Sequence, residues 1–313
     1  MKRFKNILLY VGMEENEVAL ARALKLAIEN QATLTVMDVV KPIPHALGMF
    51  TNVASSEELQ QLVVKDHHEK LQETADLHKN TGVEINVAVA KGDPATEIVK
   101  QVIRDGHDLV IKSVNGQTVG KLFGGIARSL LRTCPCTLWL LKPDVNGDFD
   151  RILTALDLDA SDDVHRNLNH KMIEISTTLA EMENAELHVV TAWEVWMEQA
   201  LRRRAGNAEV DAAVAGKEAK VETSMNELLS GFESTTTPVH KHIHQGNSAA
   251  VIRSVANDVE TDLLVMGTVC RTGAAGLLIG NTAETVLSGV NCSLLALKPD
   301  GFISPVQVDD STT

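Results

Sequence analysis

The end of this chain repeats a pattern already used once. Cys136-Thr-Leu-Trp-Leu-Leu-Lys-Pro-Asp144 returns as Cys292-Ser-Leu-Leu-Ala-Leu-Lys-Pro-Asp300, 156 residues later. His107-Asp-Leu-Val-Ile111 is answered by Thr261-Asp-Leu-Leu-Val265, and Gly92-Asp-Pro-Ala95 by Gly246-Asn-Ser-Ala249, both at an offset of 154. The opening Asn6-Ile-Leu-Leu-Tyr-Val11 is answered by Arg151-Ile-Leu-Thr-Ala-Leu156 at 145. Four landmarks in unchanged order, with small drift in spacing, signify one folding unit used twice. The 313 residues are enough for two domains of about 150 each. The expected division is domain one at 1–145, domain two at 149–300 and a polar tail at 301–313, with 143–149 as linker.

Within each copy, short apolar runs alternate with stretches of helical periodicity. The first copy predicts strands near 6–11, 32–40, 84–90, 108–113 and 137–141; the second near 151–156, 186–192, 239–245, 262–267 and 293–297. Runs such as Leu109-Val-Ile111 and Leu138-Trp-Leu-Leu141 are apolar throughout, which suits parallel strands covered on both faces. Between them, Val18–Ile28 carries apolar residues at helical spacing. The fold class is α/β: two tandem five-stranded parallel sheets with helices on both faces, Rossmann-like, joined by right-handed crossovers. The second copy has a longer first helix and a helix-forming insert at about 195–233.

Charge narrows the partners. Residues 1–147 balance 17 Lys/Arg against 17 Asp/Glu, so the net charge of −13 falls on residues 148–313. An acidic half argues against duplex binding, which needs a basic face, so no direct nucleic acid partner is expected. Arg202-Arg203-Arg204 is the one concentrated basic run and reads as a solvated helix face beside Glu198. No apolar run approaches the roughly 20 residues of a membrane span, and the four cysteines suggest no disulfide framework, so a cytoplasmic location without membrane association is expected.

The segment with chemical content follows the fourth strand of the second copy: Gly267-Thr-Val-Cys-Arg-Thr-Gly-Ala-Ala-Gly-Leu-Leu-Ile-Gly280-Asn-Thr-Ala-Glu284. A strand ends at a glycine, a loop of small residues follows, and a helix opens after Gly280. Such loops let backbone N–H groups approach an anion closely. Asn281 followed by Glu284 reads as a variant of the capping box.

On these residues the chain resembles a tandem universal stress protein, most closely of the E type, over nearly its whole length. The family's nucleotide-binding branch carries Gly-x-x-Gly, nine residues, then Gly-Ser or Gly-Thr. Here Gly267 matches the first glycine, Cys270 stands where the second belongs, nine residues lead to Gly280, and Asn281 replaces the hydroxyl residue. Asp157, after the first strand of copy two, matches the family's adenine-contacting aspartate, and Gly246 matches the glycine after the third strand. The resemblance thus implies a cofactor-binding set of Asp157, Gly246, Gly267, Arg271, Gly280, Asn281 and Thr282, and ATP or another adenine nucleotide as ligand. It also implies a non-catalytic protein of resistance to starvation, oxidative stress and DNA damage. Its two domains would pair through their last strands as an internal pseudo-dimer, with homodimers as a further assembly and a signalling protein as an unnamed partner.

Copy one departs further. Its first strand ends at Gly12 rather than aspartate, Lys112 and Ser113 stand opposite Met266 and Gly267, and the interval from Gly116 to Gly124 is two residues short. Copy one is therefore expected not to bind ATP in the family manner.

Other constellations are read as structural. His240-Lys-His-Ile-His244 puts three imidazoles on one strand face, but steps of about 6.8 Å are too long for one zinc ion, so no metal is expected. Cys134-Pro-Cys136 lacks the setting of a catalytic dithiol. Two alternatives stay open: a slow ATPase or phosphotransferase using the same loop, and a carrier of an apolar ligand in a cleft lined by Trp193, Trp196, Met197 and Leu201.

Overall fold

Among the described residues ten strands are interleaved with helices, and the central strands are the apolar runs that can be buried on both faces. A computed structural model describes residues 4–12, 17–43, 55–114, 123–142, 148–159, 162–232, 237–268 and 280–308. Two compact units meet in sequence between Gly147 and Asp148, and residues 302–308 count with the first unit.

The first unit holds β1 (Asn6–Tyr10), α1 (Glu17–Asn30), β2 (Thr33–Val40), α2 (Ser56–Leu77), β3 (Ile85–Lys91), α3 (Pro94–Asp105), β4 (Leu109–Ser113), α4 (Gly125–Thr133) and β5 (Thr137–Leu141). Its strands lie in the order β3-β2-β1-β4-β5, every neighbouring pair parallel. The middle strands are buried on both faces, with Ile7, Leu8, Leu34, Leu109, Val110 and Ile111 fully enclosed. Each such side chain contributes about 1.5–3 kcal/mol of hydrophobic stabilisation. That is why these runs show no alternation.

The second unit repeats this plan with β6 (Arg151–Leu156), α5 (Asp163–Glu183), β7 (Glu186–Trp193), α6 (Glu198–Ala205), α7 (Asn207–Ser230), β8 (Val239–Gln245), α8 (Ser248–Asp258), β9 (Leu263–Gly267), α9 (Asn281–Leu287) and β10 (Ser293–Leu297). The order is β8-β7-β6-β9-β10, again parallel. The long first helix and the helical insert appear as α5, of 21 residues against 14 in α1, and as α6 with α7.

The repeat extends to how helices start. After β3 and after β8 the chain turns at a glycine with positive φ, Gly92 at 154° and Gly246 at 142°. An Asx cap follows: Asp93 accepts from the Thr96 N–H, and Asn247 from the Ala250 N–H. In α3, Pro94 occupies the first turn, where its missing N–H costs nothing.

In both units the strand order reverses beside the first strand, so the crevice for a ligand lies beyond the carboxyl ends of β1 and β4, or of β6 and β9. Among the described residues no helix is long and apolar enough to cross a membrane.

Candidate functional site

In the second unit that crevice is a cavity of about 400 Å3, within the range of about 300–1,000 Å3 usual for small-molecule sites. Ala155, Leu156 and Asp157 come from the end of β6, Met266 and Gly267 from β9, and Gly280, Asn281, Thr282 and Ala283 from the start of α9. His165, Leu168, Asn169 and Met172 on α5 form another wall, and Ala192, Ser248 and Ile252 complete it. Five of the seven sequence candidates therefore converge: Asp157, Gly267, Gly280, Asn281 and Thr282.

The other two differ. Gly246 is not on the cavity wall; its positive φ turns β8 into α8, and Ser248, two residues on, provides the contact surface. Arg271 lies outside the described residues, as does Cys270.

The walls are held by polar contacts that periodicity does not reveal. Asn169 is 4% exposed, and its Nδ2 donates to the Asp157 carbonyl at 2.8 Å while its Oδ1 accepts from the Asp157 N–H at 3.3 Å. One side-chain amide thus fixes the backbone that carries the aspartate. Deeper down, the Thr154 hydroxyl donates to Ser176 Oγ at 2.6 Å, and Ser176 donates to the Met172 carbonyl, tying β6 to α5. The signal for Asn169 was present: a polar residue among the apolar positions Leu168, Met172 and Ile173 of a helix face.

Gly267 has a steric reason. A Cβ there would lie 2.8 Å from Leu168 Cδ2, the tip of a flexible side chain, so any larger residue fits only if Leu168 moves. Gly280, with φ −59° and ψ 140°, is the N-cap of α9. This corrects the reading of Asn281 as the capping residue: the helix begins at Asn281, and its N-cap makes no side-chain hydrogen bond.

A wider groove of about 880 Å3 adjoins this cavity and shares Asp157 and Asn169 with it; Asp159, Arg166, His170, Lys217 and Lys220 also line it. Lys217 is engaged there by Asp159 at 3.0 Å and by the Glu194 carbonyl at 2.7 Å. The groove is larger, but Gly267 and Gly280 line the smaller cavity.

The first unit shows what replaces the site. Tyr10 pairs with Lys112 across β1 and β4, where the second unit pairs Ala155 with Met266. The Lys112 ammonium lies 5.8 Å from the Tyr10 ring centroid. Burial, reinforced by Asp38 and Asp93, pushes the Tyr10 hydroxyl up to about 12, so it stays neutral. An aromatic ring and an ammonium stem stand where the second unit has a methyl group and a thioether.

The apolar cleft expected around the insert does not form as one surface. Trp193 is core at 3% exposure, whereas Trp196 is 84% exposed and Met197 and Leu201 are also exposed. The reason is geometric: Trp193 ends β7, and the others lie beyond it on the outer side of α6 and its approach. The Cys134 and Cys136 sulfurs are 3.5 Å apart, and the Cys134 hydrogen bond together with burial pushes the Cys136 thiol well up, opposite to a reactive thiolate.

The sequence pattern of the universal stress protein family matches residues 3–142 and again residues 148–298. The chain belongs to the universal stress protein family. It carries two of the family's domains in tandem. Membership supports a role in the stress response. Universal stress protein E of Photorhabdus laumondii is 26% identical over 315 residues, covering 98% of this chain and 99% of that protein. Universal stress protein E of Escherichia coli K12 is 28% identical over 320 residues, covering 99% of each. Among solved structures, a functionally unknown protein of Pseudomonas aeruginosa PAO1 has a TM-score of 0.73 at 24% identity, covering 96% of this chain and 94% of its own. A putative universal stress protein of Pseudomonas aeruginosa UCBPP-PA14 has a TM-score of 0.71, also at 24% identity, covering 96% and 95%. These two structural likenesses concern the fold alone.

Proposed function

We propose that the second unit is the ligand-sensing half of a non-catalytic stress-response protein, taking an adenine nucleotide in the cavity between β6, β9, α5 and α9. The observation that carries this reading is the convergence of Asp157, Gly267, Gly280, Asn281 and Thr282 on one cavity of about 400 Å3 at the point where the strand order reverses. In this reading Asp157, anchored by Asn169, meets the base, and the backbone from Gly280 to Thr282 meets the phosphates. The first unit, with Tyr10 and Lys112 in the corresponding place, serves as a structural or partner-binding half. Occupancy of the cavity would change the surface that the second unit offers to a signalling protein.

The test is to release and identify by mass spectrometry whatever copurifies with the full chain, then to titrate the stripped protein with ATP. Adenine nucleotide in the released fraction, and saturable ATP binding weakened at least about tenfold, or 1.4 kcal/mol, in Gly280→Val, is the expected result. Unchanged ATP affinity in a folded Gly280→Val protein, or no ATP binding at all, rejects the reading. Phosphate released at the rate of binding turnover would move the assignment to an ATPase.

A further inference from the structure

At the far edge of the second sheet, one group of side chains has the donor set of a transition-metal site. β7 and β8 pair so that His188 lies opposite His240 and Val190 opposite His242. Strand alternation then puts Glu186, His188, His240 and His242 on one face. One carboxylate oxygen from Glu186 and one imidazole nitrogen from each of His188 and His240 lie within 4.8 Å of one another. The in-line histidines of β8 are too far apart to share an ion, but His188 on the neighbouring strand supplies the convergence that a single strand lacks.

The His188 side chain is only 9% exposed, and its two nitrogens have unequal surroundings. Nδ1 lies 3.0 Å from His242 Nε2, a hydrogen bond. Nε2 is buried and has no hydrogen-bond partner; the nearest carboxylate oxygen, Glu186 Oε2, is 3.5 Å away, at the limit where such a contact ceases to count. With the proton on Nδ1 and given to His242, Nε2 directs a lone pair toward a carboxylate. A cation between those two groups would satisfy both.

We propose that Glu186, His188 and His240 form a site for a zinc-like divalent transition-metal ion, with His242 as the outer partner that fixes the His188 tautomer. Two imidazoles, one carboxylate and a water make up a usual four-coordinate zinc set, and an outer acceptor on the far ring nitrogen is the usual support for a ligating histidine. Bonds of 2.0–2.1 Å in a tetrahedron put ligand atoms about 3.4 Å apart, so some closure is needed. Glu186 and His240 are exposed and can rotate to provide it, while buried His188 is the fixed anchor. Arg151 is the opposing charge nearby, and Glu260 engages it at 2.9 Å. Bound metal would clamp edge strand β8 to β7, away from the nucleotide cavity and independent of it.

Metal-free full-length protein titrated with cobalt(II), followed by zinc competition, tests this. The expected result is one equivalent of cobalt with the visible absorption of a tetrahedral nitrogen and oxygen site. It should vanish in His240→Ala and in Glu186→Gln, and weaken roughly 10–100-fold in His242→Ala. Both of the first two residues are exposed, so these variants keep the fold, which circular dichroism checks. Zinc should raise the melting temperature of the wild type and not of His240→Ala. No tetrahedral spectrum in the wild type, thiolate charge-transfer bands pointing to cysteines, or an unchanged cobalt affinity in folded His240→Ala overturns the proposal.

Discussion

Asn169 and Gly267 show how single residues shape the cavity. Removing the Asn169 amide leaves the Asp157 N–H and carbonyl without the partner that holds them, in a half-buried place where water replaces it poorly. Asn169→Ala should therefore cost about 1–3 kcal/mol, read as a lower denaturant midpoint at unchanged slope. It should also weaken any ligand that depends on the Asp157 position. Gly267→Ala acts otherwise. Its methyl group would meet the tip of the Leu168 side chain, and Leu168 itself lines the cavity, so the strain is relieved by pushing that side chain into the ligand space. A modest loss of stability with a loss of ATP affinity of at least about tenfold, 1.4 kcal/mol, is expected, and calorimetric titration separates the two effects. Equal affinity in Gly267→Ala would show that the ligand does not reach Leu168. Of these two residues, Gly267 was legible from its place in a glycine loop. Asn169 was legible only in part: a polar residue among apolar helix positions marks a buried partner to be satisfied, but that the partner is the Asp157 backbone depends on the fold.

Elements were legible where burial or local hydrogen bonding dictates them. The continuous apolar runs at β4 and β5 had to be parallel and covered, and they are. The starts of α3 and α8 rest on Asp93 and Asn247, whose side chains close the first turn, although in the sequence these residues stood out only as landmarks of the repeat. The start of α9 did not follow in the same way: Asn281 and Glu284 have the spacing of a capping pair, yet glycine takes the cap and Asn281 enters the helix exposed. Glycine is nearly as good a cap as serine or asparagine, so the sequence pattern alone does not choose between them. The difference is measurable. Asp93→Ala should destabilise the chain by about 1 kcal/mol, as should Asn247→Ala, because each leaves an N–H of the first turn unsatisfied. Asn281→Ala should stay within about 0.5 kcal/mol, as for an exposed site without such a role. Urea midpoints of the three variants check the order, and an Asn281→Ala loss equal to that of Asn247→Ala would restore the capping role. The edge histidines mark a further limit: alternation along β8 was readable, but the partner on β7 depends on register, which two separate strands do not declare.

Over the whole molecule, histidines in both units couple folding to pH. Burial holds His107 in the first unit, and His188 and His242 in the second, below the ordinary histidine value of about 6.5. For His188 the neighbouring His240 adds to the lowering while Glu186 opposes it, and for His242 the nearby His188 and His244 add to it. The unfolded chain carries the ordinary value, so in this window it binds protons that the folded chain refuses. Stability from these groups is thus complete above about pH 6.5 and is lost as pH falls through that value toward the lower folded ones. A second effect runs the other way. With a net charge of −13 and an isoelectric point near 5.3, acidification relieves self-repulsion, and the absolute melting temperature mixes both trends. The difference between proteins separates them. Between about pH 7.5 and about pH 5.5, with a chelator present, the wild type should lose more melting temperature than His188→Gln/His242→Gln, whose net charge changes by the same protein-wide titration without the two buried imidazoles. Parallel melting curves for the two proteins across that range would show that these histidines do not couple folding to protons, and would leave His107 as the only one of the three in that role.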